Sequence, residues 1–138
     1  MKYLMVCIAL SLSFVSASLL AHPAVSDAWI RLLPPNVKTT AAYANFTSDH
    51  DDKIVAIRTD IAEQVEMHES SMADGMMTMR PLDGLSISAD EGLSLQPQGK
   101  HLMLIGLKRA LAEGESVKLF FDFEQGGTLM YRFEVRKP

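Results

Sequence analysis

An all-β single domain, a Greek-key sandwich or barrel, is the fold this sequence predicts, and three observations carry the prediction. Apolar residues recur at every second position in short stretches, turn-forming residues separate those stretches, and no segment holds the helical period long enough to sustain a helix. Eight or so such strands fit into the 117 residues that follow position 21. That length is enough for one domain around one core, and no repeat, low-complexity tract or linker divides it.

Residues 1–21 read differently from the rest. Lys2 supplies a short positive start, the run from Leu4 through Leu20 carries no charge, and small residues offer cleavage after Ala17 or after Ala21. This is the pattern of a secretory signal peptide, with Ala21 preferred because globular patterning starts immediately afterwards. The competing reading is an uncleaved membrane helix, since the apolar run is just long enough to span. Cys7, the only cysteine, lies inside this segment and too early to resemble a lipid-attachment cysteine. Cleavage therefore leaves an exported domain, residues 22–138, without a thiol, which excludes disulfides, thiol redox chemistry and thiolate zinc sites. It also leaves 12 Lys and Arg against 17 Asp and Glu, a formal charge of −5. An acidic domain with no basic stripe is a poor candidate for nucleic-acid binding.

Along the mature chain, Trp29 lies in a first strand closed by Pro34-Pro35, and Val55, Ile57, Thr59 and Ile61 alternate with Ala56, Arg58 and Asp60. Leu85 and Ile87, then Leu93 and Leu95, mark two short strands around Asp90-Glu91-Gly92. Lys108 to Glu113 is compatible with a short helical turn. Near the C-terminus, Val117, Leu119, Phe121 and Phe123 share one face, Glu124-Gln125-Gly126-Gly127 turns the chain, and Leu129, Tyr131, Phe133 and Val135 share a face again. These last two strands read as a hairpin buried on one side.

The segment Val65 to Pro81 contains Asp74-Gly75, the dipeptide of a two-residue type I′ hairpin. With those residues as the loop, Met72 faces Met77, Ser70 faces Met79 and His68 faces Pro81. Alternation then places His68, Ser70, Met72, Met77 and Met79 on one side of the ribbon and sends Val65 and Met67 towards the core. His68 and Met79 become diagonal neighbours about 7 to 8 Å apart, close enough for long side chains to converge on one ion. After a turn at Pro97-Gln98-Gly99, His101 and Met103 share one face of an apolar strand, with Leu102 and Leu104 on the other.

His68, Met79, His101 and Met103, spaced His-x10-Met-x21-His-x-Met, are thus candidate metal ligands. Two imidazoles and two thioethers form a neutral, partly soft set that favours Cu(I) over harder divalent ions. Zinc prefers thiolate, imidazole or carboxylate, calcium and magnesium need oxygen, and a blue-copper site needs a thiolate. Methionine clusters are more often gap-fillers in cores. Against that reading, five methionines between Met67 and Met79 fall on both faces of a hairpin that also carries Glu66, Glu69, Asp74 and Arg80. Two lesser candidates are His22, beside a new amine after cleavage, and Asp49-His50-Asp51-Asp52, better read as a solvated turn. Met72 and Met77 are candidate auxiliary thioethers.

The same spacing, together with Glu66-Met67-His68-Glu69, Gly75-Met76-Met77-Thr78-Met79-Arg80-Pro81, His101-Leu102-Met103-Leu104-Ile105-Gly106-Leu107 and Ala28-Trp29-Ile30-Arg31, resembles the periplasmic copper chaperone family PCuAC. The resemblance extends over nearly all of residues 25 to 135. It implies a cupredoxin-like sandwich, a non-enzymatic Cu(I) carrier, and a recipient in respiratory cytochrome oxidase assembly, either the copper-site subunit or a Sco-type thiol protein. Some relatives add a His- and Met-rich C-terminal tail, whereas the sequence here ends at Arg136-Lys137-Pro138. The rival readings are a noncatalytic exported module binding a protein or small ligand through its methionines, and a copper redox enzyme centred on His22.

Overall fold

The computed structural model describes residues 21–138, so the expected signal peptide and Cys7 lie outside the described residues apart from Ala21. Ten strands and no helix make up this part of the chain. They are β1 (Ala24–Arg31), β2 (Thr39–Thr47), β3 (Asp52–Arg58), β4 (Ala62–Ala73), β5 (Met76–Leu82), β6 (Leu85–Ile87), β7 (Leu93–Leu95), β8 (Lys100–Leu107), β9 (Ser116–Phe123) and β10 (Gly127–Arg136). One continuous sheet runs in the order β5-β4-β8-β2-β1-β10-β9-β3-β6, with β7 pairing β2 beside β8. All pairings are antiparallel except that of β1 with β10.

The sheet curls into two layers. Phe46 of β2 meets Phe121 of β9 at 5.4 Å between ring centroids and Tyr131 of β10 at 5.8 Å, although neither strand is its neighbour in the sheet. Between the layers lie Ile30, Phe46, Ile54, Leu102, Leu104, Leu119, Phe121, Phe133 and Val135, all fully buried. This is the packing expected of sheets that bury one face each. The β9–β10 hairpin has the anticipated alternation, with Gly127 opposite Phe123. Its turn is tied down from outside: the buried Asp52 carboxylate accepts from the backbone N–H groups of Lys53, Gln125 and Gly126 at 2.8, 3.0 and 3.1 Å.

The structure departs from simple alternation in β3. A bulge between Ile54 and Ala56 inserts one residue, so Ile54 and Ile57 both face inward while Val55 is 42% exposed. The expected Val55–Ile57 face is therefore corrected by a local change of phase. Residues 108–113 likewise form no helical turn. Their neighbourhood spends its backbone donors on other segments, with Lys108 N–H donating to Ile61 at 2.9 Å and Gly114 N–H to Val135 at 2.8 Å. Gly92 holds the β6–β7 corner: it has φ of +70°, and a Cβ there would come within 2.3 Å of the Phe46 carbonyl oxygen.

Truncating the central ring, Phe121→Ala, should lower stability by about 3–5 kcal/mol in chemical denaturation, since it opens a cavity between the layers. Tyr131, whose hydroxyl donates to the Pro23 carbonyl at 2.6 Å, has its pKa pushed up to about 12 by burial. Above pH 10 the unfolded chain loses this proton before the folded one, so the Tyr131 contribution is complete below pH 10 and is lost as pH rises towards 12. Tyr131→Phe should flatten that part of the stability–pH curve.

Candidate metal centre

The β4–β5 hairpin has the register its turn dictates. Asp74 and Gly75 have φ of +52° and +74°, both in the left-handed region that a type I′ turn requires. Met72 pairs with Met77, Ser70 with Met79 and His68 with Pro81. Met67 is buried in the core, and Val65 packs against its margin, as their side of the ribbon demands. Strand β5 is an outer strand, with Pro81 and Arg80 suited to an edge and Arg80 bonded to Glu69 across the pair.

What the hairpin alone could not specify is its other neighbour, β8. That strand lies between β4 and β2, and its register sets His101 directly opposite His68 and Met103 directly opposite Glu66. Leu102 and Leu104 point into the sandwich, so His101 and Met103 stand on its outer face. On the far side of β8, Ala41 of β2 faces Met103, and the Tyr43 ring lies 6.4 Å from the His101 ring. His68, His101 and Met103 thus share one three-strand surface. Met79 joins from β5 and lines, with His101, Met103, Met77, Tyr43 and Arg31, a cleft of about 420 Å³. His68 stands outside that cleft wall, opposite His101, with ring centroids 6.0 Å apart.

Each imidazole has one nitrogen committed to an oxygen. His101 Nδ1 lies 2.9 Å from the Gly99 carbonyl, which can only accept, so in the neutral ring Nδ1 carries the proton and Nε2 the lone pair. His68 Nε2 lies 2.8 Å from Glu66 Oε2, and its Nδ1 is buried without a hydrogen-bond partner. An unsatisfied lone pair in a buried position is costly unless something binds it. A nitrogen oriented by carbonyl or carboxylate with the other left to bind is the usual arrangement of a metal-ligating histidine. Burial differs across the set: His101 is 4% exposed and Met79 is 52% exposed. One side of the candidate site is held rigidly by the sheet, and the other stands open at the edge.

Sequence reasoning missed Glu66, although its position two residues before His68 on the same strand face was a usable signal. It also missed Gly99 as an acceptor, and Tyr43 and Arg31 as cleft walls, because those placements depend on the pairing of β8 with β2. The Arg31 guanidinium sits over the Tyr43 ring, 5.6 Å from its centroid. Among the described residues, no three His, Cys, Asp or Glu side chains converge as a metal cluster. Asp49 and His50 bond each other at 2.6 Å while Asp52 caps the β9–β10 turn, which fits a polar turn. His22 is exposed ahead of β1.

Comparison with known proteins agrees with this architecture. The copper-bound PCuAC domain from PmoF2 superimposes with a TM-score of 0.71 at 16% identity, covering 86% of this chain and 96% of that domain, a likeness of fold. Apo-DR1885 from Deinococcus radiodurans is 31% identical with a TM-score of 0.64, covering 100% of this chain and 97% of that one. Its Cu(I) form, also 31% identical, gives a TM-score of 0.62 over 91% of this chain and 83% of that one. A "Putative lipoprotein" from Leifsonia xyli subsp. xyli (strain CTCB07) is 29% identical over 105 residues, 75% of this chain. The match spans 63% of the length of that curated relative. The family described as "Putative lipoprotein LpqE-like" matches residues 23–135. With this match and the fold of its solved neighbours, the chain belongs to the LpqE-like family, a PCuAC-like family with a cupredoxin-like β-sandwich.

Proposed function

We propose that this protein is an exported Cu(I) metallochaperone that binds one exchangeable ion through His68, Met79, His101 and Met103. The observation that carries the reading is the pair of facing imidazoles, each with one nitrogen held by an oxygen, the other nitrogen of His68 being buried and unpartnered. Met103 beside them and Met79 across the cleft supply neutral sulfur, so the ligand set adds no charge and suits a soft monovalent ion. The Cu(I) form of DR1885, at 31% identity, supports the choice of metal. The lipoprotein description of the family and of the Leifsonia relative supports export; the proposed mature, periplasmic domain starts at His22, after the small residues that end at Ala21.

Carriage rather than catalysis fits the distribution of ligands. A buried His101 retains the ion while an exposed Met79 on an outer strand is free to leave, so an acceptor can replace ligands one at a time. The recipient we propose is cytochrome oxidase copper-site assembly, either the copper subunit or a Sco-type thiol protein. A Cys-bearing acceptor would complete the transfer because thiolate outcompetes thioether for Cu(I). The alternative, an exported binding module using its methionines as an adaptable apolar surface, draws on the exposure of Met72, Met76 and Met77.

Titrating the protein anaerobically with Cu(I) against a competing chelator tests these readings. One tight equivalent is expected, weakened at least about 100-fold in Met79→Leu/Met103→Leu and unchanged in His22→Ala, because loss of ligands exceeds the usual cost of losing their supporting partners. Affinity indifferent to both methionines would defeat the chaperone reading. Glu66→Gln should weaken binding by about 10-fold, through poorer orientation of the His68 ring.

A further inference from the structure

The hairpin arm carries three thioethers that the four-ligand site does not account for as a group. Met72 and Met77 are a directly facing pair across β4 and β5, and Met79 follows Met77 on the same face. Directly opposed Cβ atoms lie about 4.5–5.5 Å apart and diagonal ones about 7–8 Å, so three flexible methionine side chains here can bring their sulfurs to one point. They are not packing residues: Met72, Met77 and Met79 are 69%, 53% and 52% exposed, whereas Met67, on the opposite face of the same ribbon, is buried in the core. Strand β5 has no further strand on its outer side, so these methionines stand at an open edge of the sheet.

The stripe also has a direction. Met72 and Met77 stand at the tip beside the Asp74-Gly75 turn, and Met77 and Met79 both reach the cleft that contains His101 and Met103. We propose that Met72, Met77 and Met79 form a three-thioether entry site for Cu(I), from which the ion passes inward with Met79 as the shared ligand. This rests on the copper reading above and extends it to how the ion arrives. Transfer is ligand substitution alone: the sulfurs of Met72 and Met77 leave, Met103 and the two imidazole lone pairs bind, and copper remains monovalent throughout. Thioethers release no proton on binding, and a neutral imidazole binds through the lone pair it already has, so the substitution itself needs no proton transfer. The stronger imidazole donors make the inner position the resting place and the tip the weaker, faster-exchanging one.

The test uses protein labelled with ¹³C at the methionine methyls and titrated anaerobically with Cu(I). His101→Asn removes the inner imidazole while keeping an N–H donor for the Gly99 carbonyl, and an unshifted Met67 methyl reports that the core is intact. In this variant the Met72, Met77 and Met79 methyls should shift together, and Met72→Leu/Met77→Leu should abolish the Met79 shift. In the otherwise native protein, Met72→Leu/Met77→Leu should slow loading from a chelated Cu(I) donor severalfold, while one equivalent of Cu(I) still shifts the Met103 methyl. Static Met72 and Met77 methyls in His101→Asn, or loading kinetics indifferent to the double substitution, overturn the entry site. If the native protein shows shifts at Met79 and Met103 but fails these tests, the copper reading stands and only the entry site falls. If no methyl moves in the native protein, both fall.

Discussion

The carbonyl of Gly99 accepts from two directions, taking the backbone N–H of Ser70 at 3.0 Å and Nδ1 of His101 at 2.9 Å. One oxygen thereby joins the hairpin arm, the loop at 96–99 and the buried imidazole. It extends the β4–β8 contact beyond the Glu69–Lys100 pair and, in the neutral ring, sets the tautomer of His101. The loop itself is a short excursion between two strands that both lie along β2: β7 ends at Leu95, the chain closes on itself through Gln96 N–H to the Lys100 carbonyl at 2.9 Å, and β8 begins. The left-handed φ of +68° at Gln98 belongs to this tight closure. Backbone geometry of this kind is a cost that folded proteins retain where surrounding contacts compel it.

A two-layer sandwich explains why the site can be rigid and open at once. Strand alternation allows β8 to bury Leu102 and Leu104 while presenting His101 and Met103 on the opposite face. The apolar side anchors the strand to the core, which contains Phe46, Phe121 and Phe133, and so fixes where the polar side stands. The open side comes from β5, which is paired on one side to β4. Its pairing is supported by the turn and by the Arg80–Glu69 and Ser71–Thr78 cross-strand contacts rather than by burial. A sulfur on that strand can move without disturbing the core. The proposed path of copper follows this gradient, from the exposed methionines at the arm's tip to the buried His101.

Much of the site was legible because its first half is local. Asp74-Gly75 specifies the turn, the turn specifies the register, and the register separates Met67 from Met79. The β9–β10 hairpin was legible for the same reason. Failures of sequence reasoning share the opposite property. The β3 bulge exchanges Val55 for Ile54 on the inner face because β9 sets the local pairing, and residues 108–113 lose a helical turn to backbone partners in distant segments. Tyr43 and Arg31 are 58 and 70 residues from His101, so no window of sequence relates them to it.

By itself, then, the sequence determined the all-β class, the hairpin register and the softness of the candidate ligand types, since each depends on residue identity and spacing within one or two strands. The tertiary structure decided which strand lies beside the hairpin, and with it that His68 faces His101, that Glu66 and Gly99 orient the two rings, and that Tyr43 and Arg31 wall the cleft. Those are contacts between segments far apart in the chain. They form only because burying the apolar faces of β2, β8, β9 and β10 against one another leaves a single arrangement for their outer faces.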